Sequence, residues 1–276
     1  MQYGYFDETK REYVITRPDT PAPWANYLGS PDYGAIISNN AGGYSFVKSG
    51  AQGRISRYIF NEEDKPGRYV YLRDDEDGDY WSASWQPVGK PLGEGDDQYK
   101  STCRHGTSYT KINADYKGIS SEVLYYVPLD KTHEVWRVCI KNNSDKVRNI
   151  SAFGFVEFTN EGFYENDQVN LQYTLFITRT YFKTNKILQA INENVDKRED
   201  GSNGMERFFG LAGAEVTSYN GDRSAFIGSY RSYHNPVAVE RGSCDNCLNY
   251  NQNACGALHT KISLKPGESR EFVFLM

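Results

Sequence analysis

Ser121–Pro128 reads SEVLYYVP, Glu134–Lys141 reads EVWRVCIK and Asn149–Phe158 reads NISAFGFVEF. In each, polar residues alternate with apolar or aromatic ones. A period of two puts successive side chains on opposite faces of a pleated strand. Val, Ile, Tyr and Phe dominate, and these suit a half-buried sheet surface. The same pattern recurs outward in Arg11–Arg17, Tyr33–Ser38, Arg54–Phe60, Arg68–Arg73, Thr107–Ile112, Gln172–Phe182, Arg207–Leu211, His259–Leu264 and Arg270–Leu275. Between these runs stand Asp77-Gly78, Lys117-Gly118, Asn143-Ser144-Asp145, Asn220-Gly221-Asp222 and Pro266-Gly267, the chemistry of tight turns. Alternation predicts roughly fifteen strands. So many cannot stay in one flat sheet, because twist splits them into two facing sheets. The predicted fold class is all-β, a large antiparallel β-sandwich spanning residues 1–276. A short helix is predicted at Leu188–Val195, and Asn192–Asn203 (NENVDKREDGSN) is predicted to be an exposed loop.

Aromatic residues make up 14% of the 276, 22 of them Tyr, so the chain folds although its mean hydropathy is only -0.69. Disordered sequences are poor in aromatics. The formal net charge is -5 and no basic stripe stands out, which argues against a nucleic-acid partner. Met1–Asp7 (MQYGYFD) lacks the charged-then-apolar pattern of a secretory leader, and no run is long enough to span a membrane. A cytoplasmic protein is expected, with five free cysteines. The chain stops inside the apolar run Phe274-Leu275-Met276, which reads as a boundary within a longer polypeptide.

The motifs that could carry chemistry are few. Asp74–Asp79 (DDEDGD) offers oxygens to a hard cation but lacks the spacing of a twelve-residue calcium loop, so a solvated turn is expected. Cys244, Cys247 and Cys255 lack a fourth ligand at zinc spacing and are expected to be ordinary loop cysteines. Asn39–Tyr44 (NNAGGY) reads as a hairpin turn, since no phosphate-loop Lys follows. Trp136 is expected in the core. Trp81 and Trp85, four apart, would share one strand face as core or as a sugar platform. Arg104-His105-Gly106 precedes a strand, where an Arg beside a His can hold a phosphate or a sugar hydroxyl. No nucleophile elbow, metalloprotease motif or identifiable carboxylate pair is present in the sequence.

Several blocks together resemble the N-terminal region of cellobiose phosphorylases, inverting disaccharide phosphorylases of glycoside hydrolase family 94. They are Tyr3–Asp7 with Arg11–Pro21, Tyr33–Phe46, Arg68–Gln86, Cys103–Gly106 and Asn235–Gly242. The resemblance implies a supersandwich of galactose-mutarotase-like fold. A helical linker and an (α/α) barrel catalytic domain, both absent from this chain, would follow it. It further implies phosphorolysis of cellobiose to α-glucose 1-phosphate and glucose, with inorganic phosphate as co-substrate and no cofactor or metal. The general acid would lie in the barrel, leaving no catalytic residue here. A homodimer is implied, in which Tyr164–Tyr173 (YENDQVNLQY) lends side chains to the neighbouring subunit's acceptor pocket. Asn170 and Tyr173 are the candidates there, although relatives carry Arg at the position of Tyr173. Arg104 and His105 are the other substrate-binding candidates. The competing readings are a free-standing carbohydrate-binding module and a mutarotase-like epimerase, which needs a convergent His and carboxylate.

Overall fold

The computed structural model describes residues 2–58, 66–95, 97–160, 162–169, 175–192 and 206–276. In chain order the strands begin with β1 (Gly4–Asp7), β2 (Glu12–Ile15), β3 (Ala25–Ser30), β4 (Tyr33–Ser38), β5 (Gly43–Phe46) and β6 (Tyr69–Asp74). There follow β7 (Tyr80–Ser82), β8 (Lys100–His105), β9 (Tyr109–Tyr116), β10 (Ile119–Tyr126), β11 (Val135–Asn142) and β12 (Arg148–Glu157). The last are β13 (Thr178–Lys183), β14 (Ile187–Asn192), β15 (Arg207–Ala212), β16 (Ser218–Asp222), β17 (Ala254–Leu264) and β18 (Ser269–Leu275). Among the described residues, short helices interrupt them at α1 (Tyr164–Val169), α2 (Arg223–Ile227) and α3 (Val237–Arg241).

The strands form antiparallel sheets, as alternation requires. A ten-stranded sheet runs β1-β2-β8-β9-β10-β11-β18-β15-β14-β13, and a five-stranded sheet runs β16-β17-β12-β6-β7. The hairpin array β3-β4-β5 makes a third, three-stranded sheet beyond the two that were expected. Register explains the burial. Val123 of β10 sits opposite Ile112 of β9 and Val138 of β11, and all three are buried, while Glu122 and Leu124 face outward. Trp136 lies in the core against Phe209, with ring centroids 5.0 Å apart.

The five-stranded sheet is covered on both faces. One side packs on the ten-stranded sheet, and two glycines permit close approach there. A Cβ on Gly154 would stand 2.5 Å from the Phe274 ring, and one on Gly256 would stand 2.5 Å from Cβ of Phe209. The other side carries a second core, in which Tyr71, Phe153 and Phe155 meet Phe226 of α2 and Val239 of α3. Asp222 caps α2 by accepting from the backbone N–H of Ser224 and Ala225, and Gly242 ends α3 in the left-handed region.

Five local expectations fail. Asn220-Gly221-Asp222 is no turn, because it forms the end of β16 and pairs with β17. Leu188–Val195 is no helix, because residues 187–192 form β14 with Leu188 and Ala190 turned into the core; residues 193–195 lie outside the described residues. The predicted loop Asn192–Asn203 likewise lies outside them beyond Asn192. Arg54–Phe60 forms no ladder up to residue 58, only isolated bridges at Arg54 and Ser56, and residues 54–57 are all buried rather than alternating. In Gln172–Phe182, Leu175–Ile177 are helical and the strand starts at Thr178. Trp81 and Trp85 share no strand face. Trp81 is buried in β7, whereas Trp85 stands in a turn at φ 67° and donates its indole N–H to the Lys90 carbonyl, 2.8 Å away.

Candidate functional site

A buried polar cluster lies beside α1. Glu157 ends β12, and its carboxylate is enclosed. Arg57 Nη1 donates to Oε1 at 2.8 Å and Arg223 Nε donates to Oε2 at 2.7 Å, with the Tyr233 hydroxyl also on Oε2. Arg57 turns its other edge to Asp167 of α1, with Nε on Oδ2 at 3.1 Å and Nη2 on Oδ1 at 2.9 Å. That two-pronged geometry is the strong form of a guanidinium–carboxylate contact. Asp167 Oδ1 also accepts the Asn160 backbone N–H at 2.6 Å. Two guanidiniums therefore balance two carboxylates, as burial demands. Burial alone would raise the Glu157 carboxyl, but Arg57 and Arg223 outweigh it and hold the group below its ordinary value. Burial likewise opposes the Arg57 charge, and Asp167 with Glu157 overcomes it and raises the guanidinium.

A second buried arginine, Arg54, packs against α1. Arg54 lies between two rings, 3.9 Å from the Tyr44 centroid and 4.3 Å from that of Tyr164. Its Nη1 is buried without a hydrogen-bond partner, and burial lowers its guanidinium. Backbone pairing completes the grip, since Gly53 and Arg54 N–H both donate to the Gly162 carbonyl and Tyr164 N–H donates to that of Ala51. Val169 at the end of α1 and Phe176 beyond it are exposed, and exposed Tyr250 stacks on Arg179 at 3.9 Å.

Of the residues singled out in the sequence, Asn170 and Tyr173 lie outside the described residues. Arg104 and His105 end β8 and are occupied internally. Arg104 Nη1 donates to Glu12 at 2.7 Å, and that hydrogen bond raises its guanidinium. His105 Nδ1 meets Thr110 Oγ1 at 2.9 Å and Nε2 meets the Trp24 carbonyl at 3.0 Å; burial lowers its imidazole. His105 nevertheless borders a cleft of about 480 Å³ lined by Phe6, Tyr13 and Trp24, whose rings contact in series.

The acidic run is the expected turn, between β6 and β7 with Glu76 and Asp77 exposed, but its other carboxylates are ion-paired. Asp74 is buried against Arg148, Asp75 pairs with Arg73, and Asp79 pairs with Lys90 and Lys117. Burial would raise Asp79, yet the two lysines pull its carboxyl down to about 2. The five cysteines are free thiols, and burial pushes those of Cys244, Cys247 and Cys255 up. Among the described residues no group of three or more His, Cys, Asp or Glu is placed to hold a metal. None of the four His there bonds a carboxylate; His259 lies between Ser218 and Ser151.

Sequence reasoning missed Arg57, Glu157, Asp167 and Arg223. The signal was present for two of them: Glu157 interrupts FGFVEF and Arg57 interrupts RISRYIF. An ionisable residue inside an apolar strand pattern needs a buried partner.

An antiparallel supersandwich with its main polar cluster under a loop helix is the class this architecture defines. Comparison with protein families matches residues 11–276 to the glycosyl hydrolase 94 supersandwich domain, and the chain belongs to that family. It is 46% identical over its whole length to the N,N'-diacetylchitobiose phosphorylase of Vibrio proteolyticus and 44% to that of Vibrio furnissii. It is 30% identical, over 96% of its length, to the solabiose phosphorylase of Paenibacillus borealis. In each case it spans 33% of the relative, so the chain covers about a third of the curated relatives it matches. No helix among the described residues is long and apolar enough to cross a membrane.

Proposed function

We propose that this chain is the N-terminal scaffold of an inverting phosphorylase acting on a β-linked disaccharide, and that the catalytic acid resides on a separate, C-terminal domain. The family match over residues 11–276, with relatives that are phosphorylases three times as long, carries this reading. Phosphate is anionic at neutral pH and is itself the nucleophile. Phosphorolysis then needs one general acid for the leaving oxygen, where an inverting hydrolase needs an acid and a base. The scaffold's task is to hold surfaces in place. Val169 at the end of α1 is exposed and suits a homodimer contact, and Asn170 and Tyr173 remain the candidates for the neighbouring subunit's acceptor pocket. Arg104 and His105 brace the wall of the aromatic cleft.

N,N'-diacetylchitobiose is the substrate favoured by the Vibrio relatives, and cellobiose is the one suggested by the opening blocks. Assaying the full-length protein with phosphate and each disaccharide, and identifying the sugar 1-phosphate released, tests both. Release from neither would overturn the reading. The cleft lined by Phe6, Tyr13 and Trp24 favours one alternative, a carbohydrate-binding module. That alternative requires calorimetric binding of β-linked oligosaccharides by Met1–Met276 alone.

A further inference from the structure

Phe6 stands on β1, the outer strand of the ten-stranded sheet, with 77% of its surface in water. It opens a run of rings along the cleft described above. Its centroid is 4.7 Å from that of Tyr13, Tyr13 is 5.7 Å from Trp24, and Tyr3 backs Trp24 at 6.0 Å. A lone exposed apolar residue is ordinary, but contiguous exposed rings mark a binding surface. The cleft holds about 480 Å³, within the range of about 300–1,000 Å³ that small-ligand sites occupy.

Most polar groups that wall it are already spent. Glu12 Oε2 is taken by Arg104 and Oε1 by the Tyr109 hydroxyl. The Asn26 amide donates to the Gly106 and Tyr109 carbonyls, and its oxygen accepts the Tyr27 N–H. The Trp24 carbonyl accepts from His105 and from the Asn39 N–H. Two side-chain donors on the cleft have no protein acceptor among the described residues: the Arg11 guanidinium and the Trp24 indole N–H. Arg11 sits at φ 55°, a conformation that L side chains rarely take, in the turn between β1 and β2. Its charge is balanced nearby, because Asp7 and Glu12 together oppose the single positive charge of Arg104. A carboxylate ligand would meet little net positive field, whereas a neutral acceptor suits the free donors.

We propose that this cleft binds a saccharide ring carrying an acetamido group. The rings take the sugar face and the acetamide methyl, and the free donors of Arg11 and Trp24 take its carbonyl. The assignment depends on the cleft alone. It holds for a phosphorylase scaffold and for a binding module, so an assay of phosphorolysis does not bear on it.

Titration calorimetry of Met1–Met276 tests it with trimers that share a β-1,4 backbone and differ in substituent: N,N',N''-triacetylchitotriose, cellotriose and cellotriose oxidised to the carboxylate at C6. Saturable one-to-one binding of the acetylated trimer is expected, about tenfold tighter than either of the others. Arg11→Gly suits the positive φ and keeps the turn. It is expected to weaken binding about tenfold, the worth of a hydrogen bond from a charged donor. Phe6→Ala removes an exposed ring and is expected to weaken binding about fivefold. Both changes lie on the surface, so the fold is kept. Tyr230→Ala, at an equally exposed ring outside the cleft, is expected to leave binding unchanged. Absence of saturable binding, or binding indifferent to both cleft substitutions, would overturn the site, as would equal weakening by Tyr230→Ala. Equal affinity for cellotriose, or a higher one for the carboxylate, would overturn the acetamido assignment.

Discussion

His259 illustrates how a single side chain is fixed by its surroundings. It is wholly buried, lies between Ser218 and Ser151, and stacks on Phe153 with centroids 4.2 Å apart. Burial, then Lys261 and Arg73, lower its imidazole to about 3. The folded chain therefore keeps it neutral where the unfolded chain protonates it below about 6.5. Stability from this group is full above pH 6.5 and is lost as pH falls toward 3. Urea unfolding of Met1–Met276 is expected to show a loss of about 2 kcal/mol from this group between pH 7 and pH 5. His259→Gln should flatten that slope, and an unchanged slope would refute the assignment. Arg68 with Glu134 was equally hidden from sequence. The pair is fully buried at 2.6 Å, and Glu134 also accepts from Ser45 and the Trp136 indole. Each partner sits at the edge of an apolar run, and alternation cannot say which distant charge it meets.

At the scale of elements, alternation worked where a strand has one wet face. β10 and β11 match their predicted spans to within two residues because outward polar residues mark the period, whereas β9 runs four residues past the predicted Thr107–Ile112. It failed where an apolar run is short or where polar groups are buried. β14 resembles a helix in sequence because a short apolar run lacks a decisive period. Residues 54–57 resemble a strand but serve as a buried tether. Sheet separation also depends on particular positions. Gly154 faces the Phe274 ring, so Gly154→Ala should cost about 1–3 kcal/mol through overpacking, read as a lower denaturation midpoint. Gly210→Ala is the control: a Cβ there meets its nearest neighbour at an ordinary 3.6 Å, and little change is expected.

For the molecule as a whole, the proposed function has the buried clusters serve scaffold geometry and leaves the chemistry to a partner domain. Met1–Met276 alone, incubated with phosphate and either disaccharide, is expected to release no sugar 1-phosphate above the uncatalysed background. Turnover by the isolated chain would contradict the division of labour proposed here. The sequence by itself determined the all-β class, the turn positions other than Asn220-Gly221-Asp222, the burial of Trp136 and, through its dispersed blocks, the family. These follow from local periodicity and from residue identity, both of which survive in one dimension. Tertiary structure alone decided that the five-stranded sheet has a second core under α2 and α3, that the acidic run is ion-paired, and that Arg57 joins Glu157 to Asp167. Those contacts link residues about a hundred positions apart. Their pairing is selected by the cost of leaving a buried charge alone, which only the folded chain can balance.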